Sequence, residues 1–316
     1  MNYPLDASLT PRFAGPTTFL RLPQRECASG LDVALFGVPF DTGASFRPGA
    51  RFGPRAVRDI SCLLRPYHAG LKVDPFRVLN VGDTGDVAVN PMRLEETFAN
   101  ITNYVNRCRE YGAIPIAVGG DHSITLPLLR GVAEGHGPVG LLQFDAHLDT
   151  WDSYFSNRYT HGTFLRRAVE EGLVEGTRSV QVGIRGPLFG PEDLATEREM
   201  GLRVITAEEV ASSPLSETVE RVRSGLGDGP VYVTFDIDAV DPAYAPGTGT
   251  PEVGGMSSLQ ALLAVEGLVS LDIVGADVVE VAPAYDCGQI TALLAARLLH
   301  QFVSVLAATR QGANST

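Results

Sequence analysis

The sequence predicts a three-layer α/β sandwich built on a mostly parallel sheet, and three observations carry that reading. Short runs rich in Val, Ile and Leu alternate with longer segments whose apolar residues recur every three or four positions, as strands alternating with helices do. The runs are bounded by Gly, Pro and Asp, which punctuate strands and do not continue them. The 316 residues, 44% of them hydrophobic, can fill one large core, and no change of composition marks a linker. A single domain over residues 1–316 is therefore expected, opening with an irregular arm over 1–30.

Residues 31–38 read as the first strand. A Gly- and Pro-rich loop follows over 39–54 and carries Asp41, Arg47 and Arg51; loops of that length are often functional. Pro54 sits where a helix can begin without losing a hydrogen bond, and Arg55 to Ile60 continue it. A short strand is expected over 76–81, ahead of the acidic stretch Gly82 to Asp86. Leu94, Phe98, Ile101, Val105 and Cys108 recur at helical spacing, so 91–112 is a helix. Strand 114–118, helix 123–134 and strand 139–144 come next, then a long aromatic loop over 150–160 and a helix from 163 to about 171. Strands over 178–184 and 202–205, a helix over 214–226 and strand 231–235 follow. A second Gly/Pro-rich loop spans 241–255. Helix 258–269, strand 271–279 and an apolar helix over 291–306 close the chain.

Three of these strands end in metal-ligand chemistry. Strand 139–144 runs into Asp145-Ala146-His147-Leu148-Asp149, strand 114–118 into Gly119-Gly120-Asp121-His122-Ser123, and strand 231–235 into Asp236-Ile237-Asp238. Side chains two residues apart on an extended segment point the same way. The carboxyl edge of a parallel sheet is where open α/β proteins build their sites. If the three strands lie close together, His122, Asp145, His147, Asp149, Asp236 and Asp238 converge on one rim. Six such ligands, four of them carboxylates able to bridge, suit two metal ions. A single ion would leave buried carboxylates without a partner, which is costly.

These motifs, with Thr234-Phe-Asp-Ile-Asp-Ala-Val-Asp-Pro242, resemble the ureohydrolases, the family of arginase, agmatinase and guanidinobutyrase. The resemblance runs from about residue 32 onward. It implies a parallel sheet of about eight strands, assembly as homotrimers or homohexamers, and two manganese ions (Mn2+) per subunit that hydrolyse a guanidino compound to urea and an amine. It implies that His122, Asp145, Asp149 and Asp236 hold one ion and Asp145, His147, Asp236 and Asp238 the other, with Asp145 and Asp236 bridging. Asp238 would also hold the nucleophile by a hydrogen bond. His161, in Tyr159-Thr-His-Gly-Thr163, is similar to the family's proton-shuttling histidine. Glu280, in Val278-Val-Glu-Val-Ala-Pro283, is similar to the glutamate that pairs with the guanidinium.

The chemistry fits those roles. Guanidinium is always charged and delocalised, so it must be held flat over the nucleophile. A carboxylate does that with paired hydrogen bonds. The leaving amine needs a proton, and histidine titrates near neutrality. The loop Thr150 to Thr160 is aromatic and departs from the polar Asn- and Ser-containing loop that grips the amino-acid head in arginases. Ala245 to Pro251 is similar to the agmatinase and guanidinobutyrase branch. Agmatine, cleaved to putrescine and urea, is the expected substrate, with Asn157 and Tyr159 expected to contact it. The alternative is guanidinobutyrate or another guanidino acid of the proclavaminate type. Asp152 could suit an amine tail, and Arg47, Arg65 or Arg158 a carboxylate tail. Gln289 stands where an agmatinase would carry Glu.

Other classes lack their signals. The formal net charge of −12 disfavours nucleic acid as a partner. No uninterrupted apolar run approaches membrane-spanning length, and Met1 to Asp6 is not a secretory signal, so no membrane partner is expected. Cys27, Cys62, Cys108 and Cys287 have no zinc or redox spacing, which suits a reduced, cytoplasmic protein. Dinucleotide, P-loop and serine-hydrolase motifs are missing. Two further readings compete with the hydrolase. A catalytically silent oligomeric binding protein would have no need of all six ligands with His161 and Glu280. A zinc deacetylase of related fold would use fewer ligands around a single metal. His68, His136 and His300 read as ordinary packing or surface residues.

Overall fold

The computed structural model describes residues 1–313. Its eight strands are β1 (Val33–Val38), β2 (Val81–Asp86), β3 (Ile114–Gly119), β4 (Gly140–Phe144), β5 (Val180–Ile184), β6 (Arg203–Thr206), β7 (Pro230–Asp236) and β8 (Asp272–Val279). They form one sheet in the order β2-β1-β3-β8-β7-β4-β5-β6. Every pairing is parallel, so the sheet is parallel throughout. Both of its faces are buried. Val33, Leu35, Ile116 and Val118 pack with residues of the helices Leu215–Leu226, Ser258–Glu266 and Ile290–Ala313. Their neighbours Phe36, Val38 and Ala117 pack with the helices Leu94–Glu110, Thr125–His136 and Phe164–Glu170. Successive residues on a strand thus feed opposite helical layers, which is the three-layer arrangement.

The chain leaves β3 and re-enters the sheet at β4, three places away, with room for two strands between. The gap is filled later by β7 and β8. This jump sets the carboxyl ends of β3, β8, β7 and β4 side by side, and a change in strand order is where open α/β sheets form ligand crevices.

Two expectations are corrected. The second strand is Val81–Asp86, not 76–81: Pro75–Val78 is a single helical turn, begun by Pro75 and capped by the Asp74 carboxylate on the Phe76 N–H. Helices Pro191–Glu199 and Ala207–Ser212 stand where none was expected. The first has a single large apolar side chain, Leu194, and so no stripe for periodicity to find. The arm over 1–30 is irregular but not free: Phe19, Leu20 and Leu22 are buried, and the Phe19 N–H donates to Asp83. The closing helix, Ile290–Ala313, is the one helix among the described residues with the length and hydropathy of a membrane span, and 83% of that window is buried inside the molecule.

Candidate metal centre

The six ligand-type residues meet at the carboxyl ends of β3, β4 and β7. His122 Nδ1 lies 3.0 Å from Asp145 Oδ2, 3.0 Å from Asp149 Oδ2 and 3.3 Å from Asp236 Oδ2. His147 Nδ1 lies 3.5 Å from Asp145 Oδ1 and 3.2 Å from Asp238 Oδ2. Two ligand groups result, His122 with Asp145 and Asp149, and Asp145 with His147 and Asp238. Asp145 faces one group with each oxygen, the disposition of a bridging carboxylate. Asp236 Oδ2 lies beside the first group, and its Oδ1 accepts the Asp238 N–H at 2.8 Å.

The cluster carries the electrostatic marks of a cation site. Burial, and then the charge of Asp145, push the Asp149 carboxyl up to about 7. Burial, and then Asp238 and Asp145, push Asp236 well above the usual carboxylate range. Burial opposes charge on both histidines, yet the surrounding carboxylates hold His122 and His147 well above the ordinary imidazole value. Carboxylates crowded this closely away from water need positive charge beside them, which a bound cation would supply. The His122 Nδ1 atom is buried and has no hydrogen-bond partner. Its other nitrogen explains why. His122 Nε2 is 2.8 Å from Thr234 Oγ1, and the Thr234 hydroxyl donates to Asp277 at 2.5 Å. Thr234 must therefore accept from Nε2–H, which leaves Nδ1 as the nitrogen aimed at the three carboxylates. Ring orientation set in this way is typical of metal-ligating histidines. Phe164 stacks on the same ring at 4.2 Å between centroids.

A row of polar residues lies one pleat below the ligands. Asp277 on β8, Thr234 on β7, Gln143 on β4 and Gln181 on β5 are in register across adjacent strands, and all are buried. Gln143 Nε2 donates to Asp145 Oδ2 at 2.7 Å and Gln181 Nε2 to Gln143 Oε1 at 2.9 Å. Asp277 also accepts from Thr125 and Tyr232. None of the four was singled out from sequence. The available signal was a polar residue inside an otherwise apolar strand, two positions ahead of the ligand in Gln143-Phe-Asp145 and Thr234-Phe-Asp236.

Glu280 and His161 stand over this rim. Glu280 Oε1 accepts from the His122 N–H at 2.9 Å and lies 3.1 Å from His161 Nδ1. His161 Nε2 accepts the Ser45 N–H at 3.1 Å and lies 2.7 Å from Ser45 Oγ. In its neutral form the ring therefore carries its proton on Nδ1, toward Glu280. Burial lowers the His161 pKa, but Glu280 outweighs it and takes the ring up to about 9. A methyl group on Gly249 would lie 3.3 Å from Glu280 Oε2 and 3.1 Å from the Arg47 carbonyl, so glycine keeps the space beside Glu280 open. Asp149 and Glu280 both adopt left-handed backbone conformations, with φ of 57° and 63°. Such strain in non-glycine residues gathers at functional sites.

Other expected residues lie elsewhere. Asn157 is exposed, and its Oδ1 accepts the Tyr159 N–H within its own loop. The Tyr159 ring packs edge-on against Phe98 at 6.1 Å, beside Arg130. Neither makes a contact with the ligand cluster among the described residues. Asp121 accepts from Ser123 and from the Gly43 N–H and so ties the 41–45 loop to β3. His68 and His300 stack on each other and bond to Gln301 and the Pro66 carbonyl.

A parallel sheet whose central strand ends gather acid and imidazole in two groups defines an α/β protein with a candidate metal centre at its carboxyl edge. The sequence profile of the arginase family matches residues 31–304, and the chain belongs to that family. It is a ureohydrolase acting on guanidino C–N bonds. The guanidinopropionase of Pseudomonas aeruginosa is 49% identical over 305 residues, covering 96% of each chain. The mitochondrial agmatinase of Gallus gallus is 48% identical, covering 96% of this chain and 90% of that one. The structure of proclavaminate amidino hydrolase from Streptomyces clavuligerus superposes with a TM-score of 0.91 at 39% identity, covering 95% of this chain and all of that one.

Proposed function

We propose that the chain is a binuclear manganese amidinohydrolase that releases urea from a linear guanidino acid. The observation that carries the two-metal reading is Asp145, whose oxygens face His122 at 3.0 Å and His147 at 3.5 Å. His122, Asp145, Asp149 and Asp236 would hold one ion, and Asp145, His147 and Asp238 the other. Two divalent ions there would lower the pKa of a water toward 7 and so make hydroxide available.

The chain's own residues do the rest. Glu280 pairs with the guanidinium and holds its plane over the rim. Its fixed position, pinned by the His122 N–H, makes that a matter of orientation more than of flexible capture. Gly249 leaves room for the substrate beside it. His161, with Nδ1 on Glu280 and Nε2 on Ser45, is placed to hand a proton to the departing amine and to recover one through the Ser45 hydroxyl.

The tail is where agmatine and guanidino acids differ. Asp152, the residue available to an amine tail, is engaged by Arg167 at 2.7 Å, with Arg166 and Arg158 within 3.9 Å. That supports a carboxylate tail over agmatine, as does the likeness to guanidinopropionase and proclavaminate amidino hydrolase. The test is urea release by the manganese-loaded protein from 3-guanidinopropionate, 4-guanidinobutyrate, agmatine and arginine. The guanidino acids are expected to turn over fastest and arginine poorly. Urea release from none of the four would refute the hydrolase reading.

A further inference from the structure

We propose that Arg47 is the specificity-determining residue that binds the carboxylate tail of the substrate; this rests on the amidinohydrolase reading above. Arg47 belongs to the 39–52 loop, whose backbone lies against the site: the Arg47 carbonyl and Glu280 Oε2 would both crowd a methyl on Gly249. Its side chain lines an open cleft of about 530 Å³ with Pro242, Pro246, Pro251, Val253 and Tyr285. Gly249 lies in the chain between Pro246 and Pro251, two residues of the cleft wall, and beside Glu280.

Arg47 has no hydrogen bond or ion pair with any described residue. Its guanidinium is instead held over the Tyr285 ring at 5.1 Å and the Phe46 ring at 5.4 Å. Three carboxylates close in sequence to the cleft-lining residues are committed to other donors. Asp41 takes the Gly49 and Arg51 N–H groups and the Arg51 side chain. Asp241 takes the N–H groups of Ala243, Gly254 and Gly255. Asp286 takes those of Cys287, Thr291 and Ala292. Asp41, Asp241 and Asp286 are thus held mainly by backbone amides, whereas the Glu252 carboxylate, between Pro251 and Val253, makes no hydrogen bond or ion pair with a described residue. What remains is a cation pre-oriented by aromatic stacking, with its hydrogen-bonding edges unpaired. Such a guanidinium matches the two oxygens of a carboxylate.

Steady-state kinetics on the manganese-loaded full chain test this with 4-guanidinobutyrate and agmatine, which differ mainly in tail charge. The wild type is expected to favour the acid. Arg47→Ala should cut the acid-to-amine ratio of kcat/KM by roughly 10- to 100-fold, the loss falling mainly in KM for the acid, because a charge-assisted hydrogen bond is removed. Arg47→Glu should invert the ratio, and Arg47→Lys should restore part of the preference lost in Arg47→Ala. Metal content and circular dichroism of each variant confirm that the fold and the ligand cluster survive. Equal losses on both substrates would make Arg47 a loop support and overturn the assignment, as would a wild type that prefers agmatine. A wild type silent toward every guanidine would instead refute the hydrolase reading on which the assignment rests.

Discussion

At the scale of single residues, the orientation of His122 decides whether the rim can hold an ion. The ring is fixed by Phe164 on its face and by the chain from Nε2 through Thr234 to Asp277. Thr234→Val keeps the shape of the side chain and removes the hydroxyl. Manganese affinity, measured by calorimetric titration, should fall about 10- to 100-fold with the fold intact, the usual effect of losing such a support. Unchanged affinity would mean that packing on Phe164 alone sets the ring. The six ligand-type residues that meet at the rim were legible in the sequence because each stands within two residues of a Gly or of another of the six at a strand end. Thr234, Gln143, Gln181 and Asp277 were not, because a lone polar residue inside an apolar strand does not reveal which neighbour it will serve. Asn157 and Tyr159 were chosen from loop composition, and composition does not fix the direction in which a loop side chain points.

At the scale of elements, the closing helix Ile290–Ala313 shows how burial couples to pH. His300 lies within it, buried, with Nε2 on the Pro66 carbonyl and Nδ1 without a partner. Burial, aided by the charge of Arg297 and by His68, lowers its pKa from 6.5 to about 4. Between these values the unfolded chain binds the proton and the folded chain does not. The fold should therefore lose stability as pH falls from about 6.5 to about 4, by up to about 3 kcal/mol from this group. His300→Gln, measured by urea denaturation of metal-free protein at pH 7 and pH 4.5, should lose less stability on acidification than the wild type. An identical loss would place the acid sensitivity elsewhere. Elements with strong apolar runs or stripes were legible to within a few residues, as Ile114–Gly119 and Leu94–Glu110 show. Pro191–Glu199 and Pro75–Val78 were missed although each begins with Pro, the first with Glu192 and Asp193 behind it and the second with Asp74 as its cap. Those are start signals, and no apolar pattern followed to extend them.

At the scale of the whole molecule, alternation of strand and helix fixes the layering but not the strand order. That order comes from the jump between β3 and β4, and it alone puts Glu280, at the end of the last strand, between His122 and Asp236. Nothing in local composition forecasts the jump; only the resemblance to a known family assigned Glu280 its place. The convergence it produces, with one carboxylate shared by two imidazole groups, is the feature from which the chemistry follows. Its most direct test is metal stoichiometry. Protein stripped with a chelator, titrated with manganese and desalted should retain two ions per chain by elemental analysis. Urea release should be absent in the stripped protein and reach its full value only as the second equivalent binds. Full activity at one bound ion, or in the stripped protein, would contradict a two-metal site.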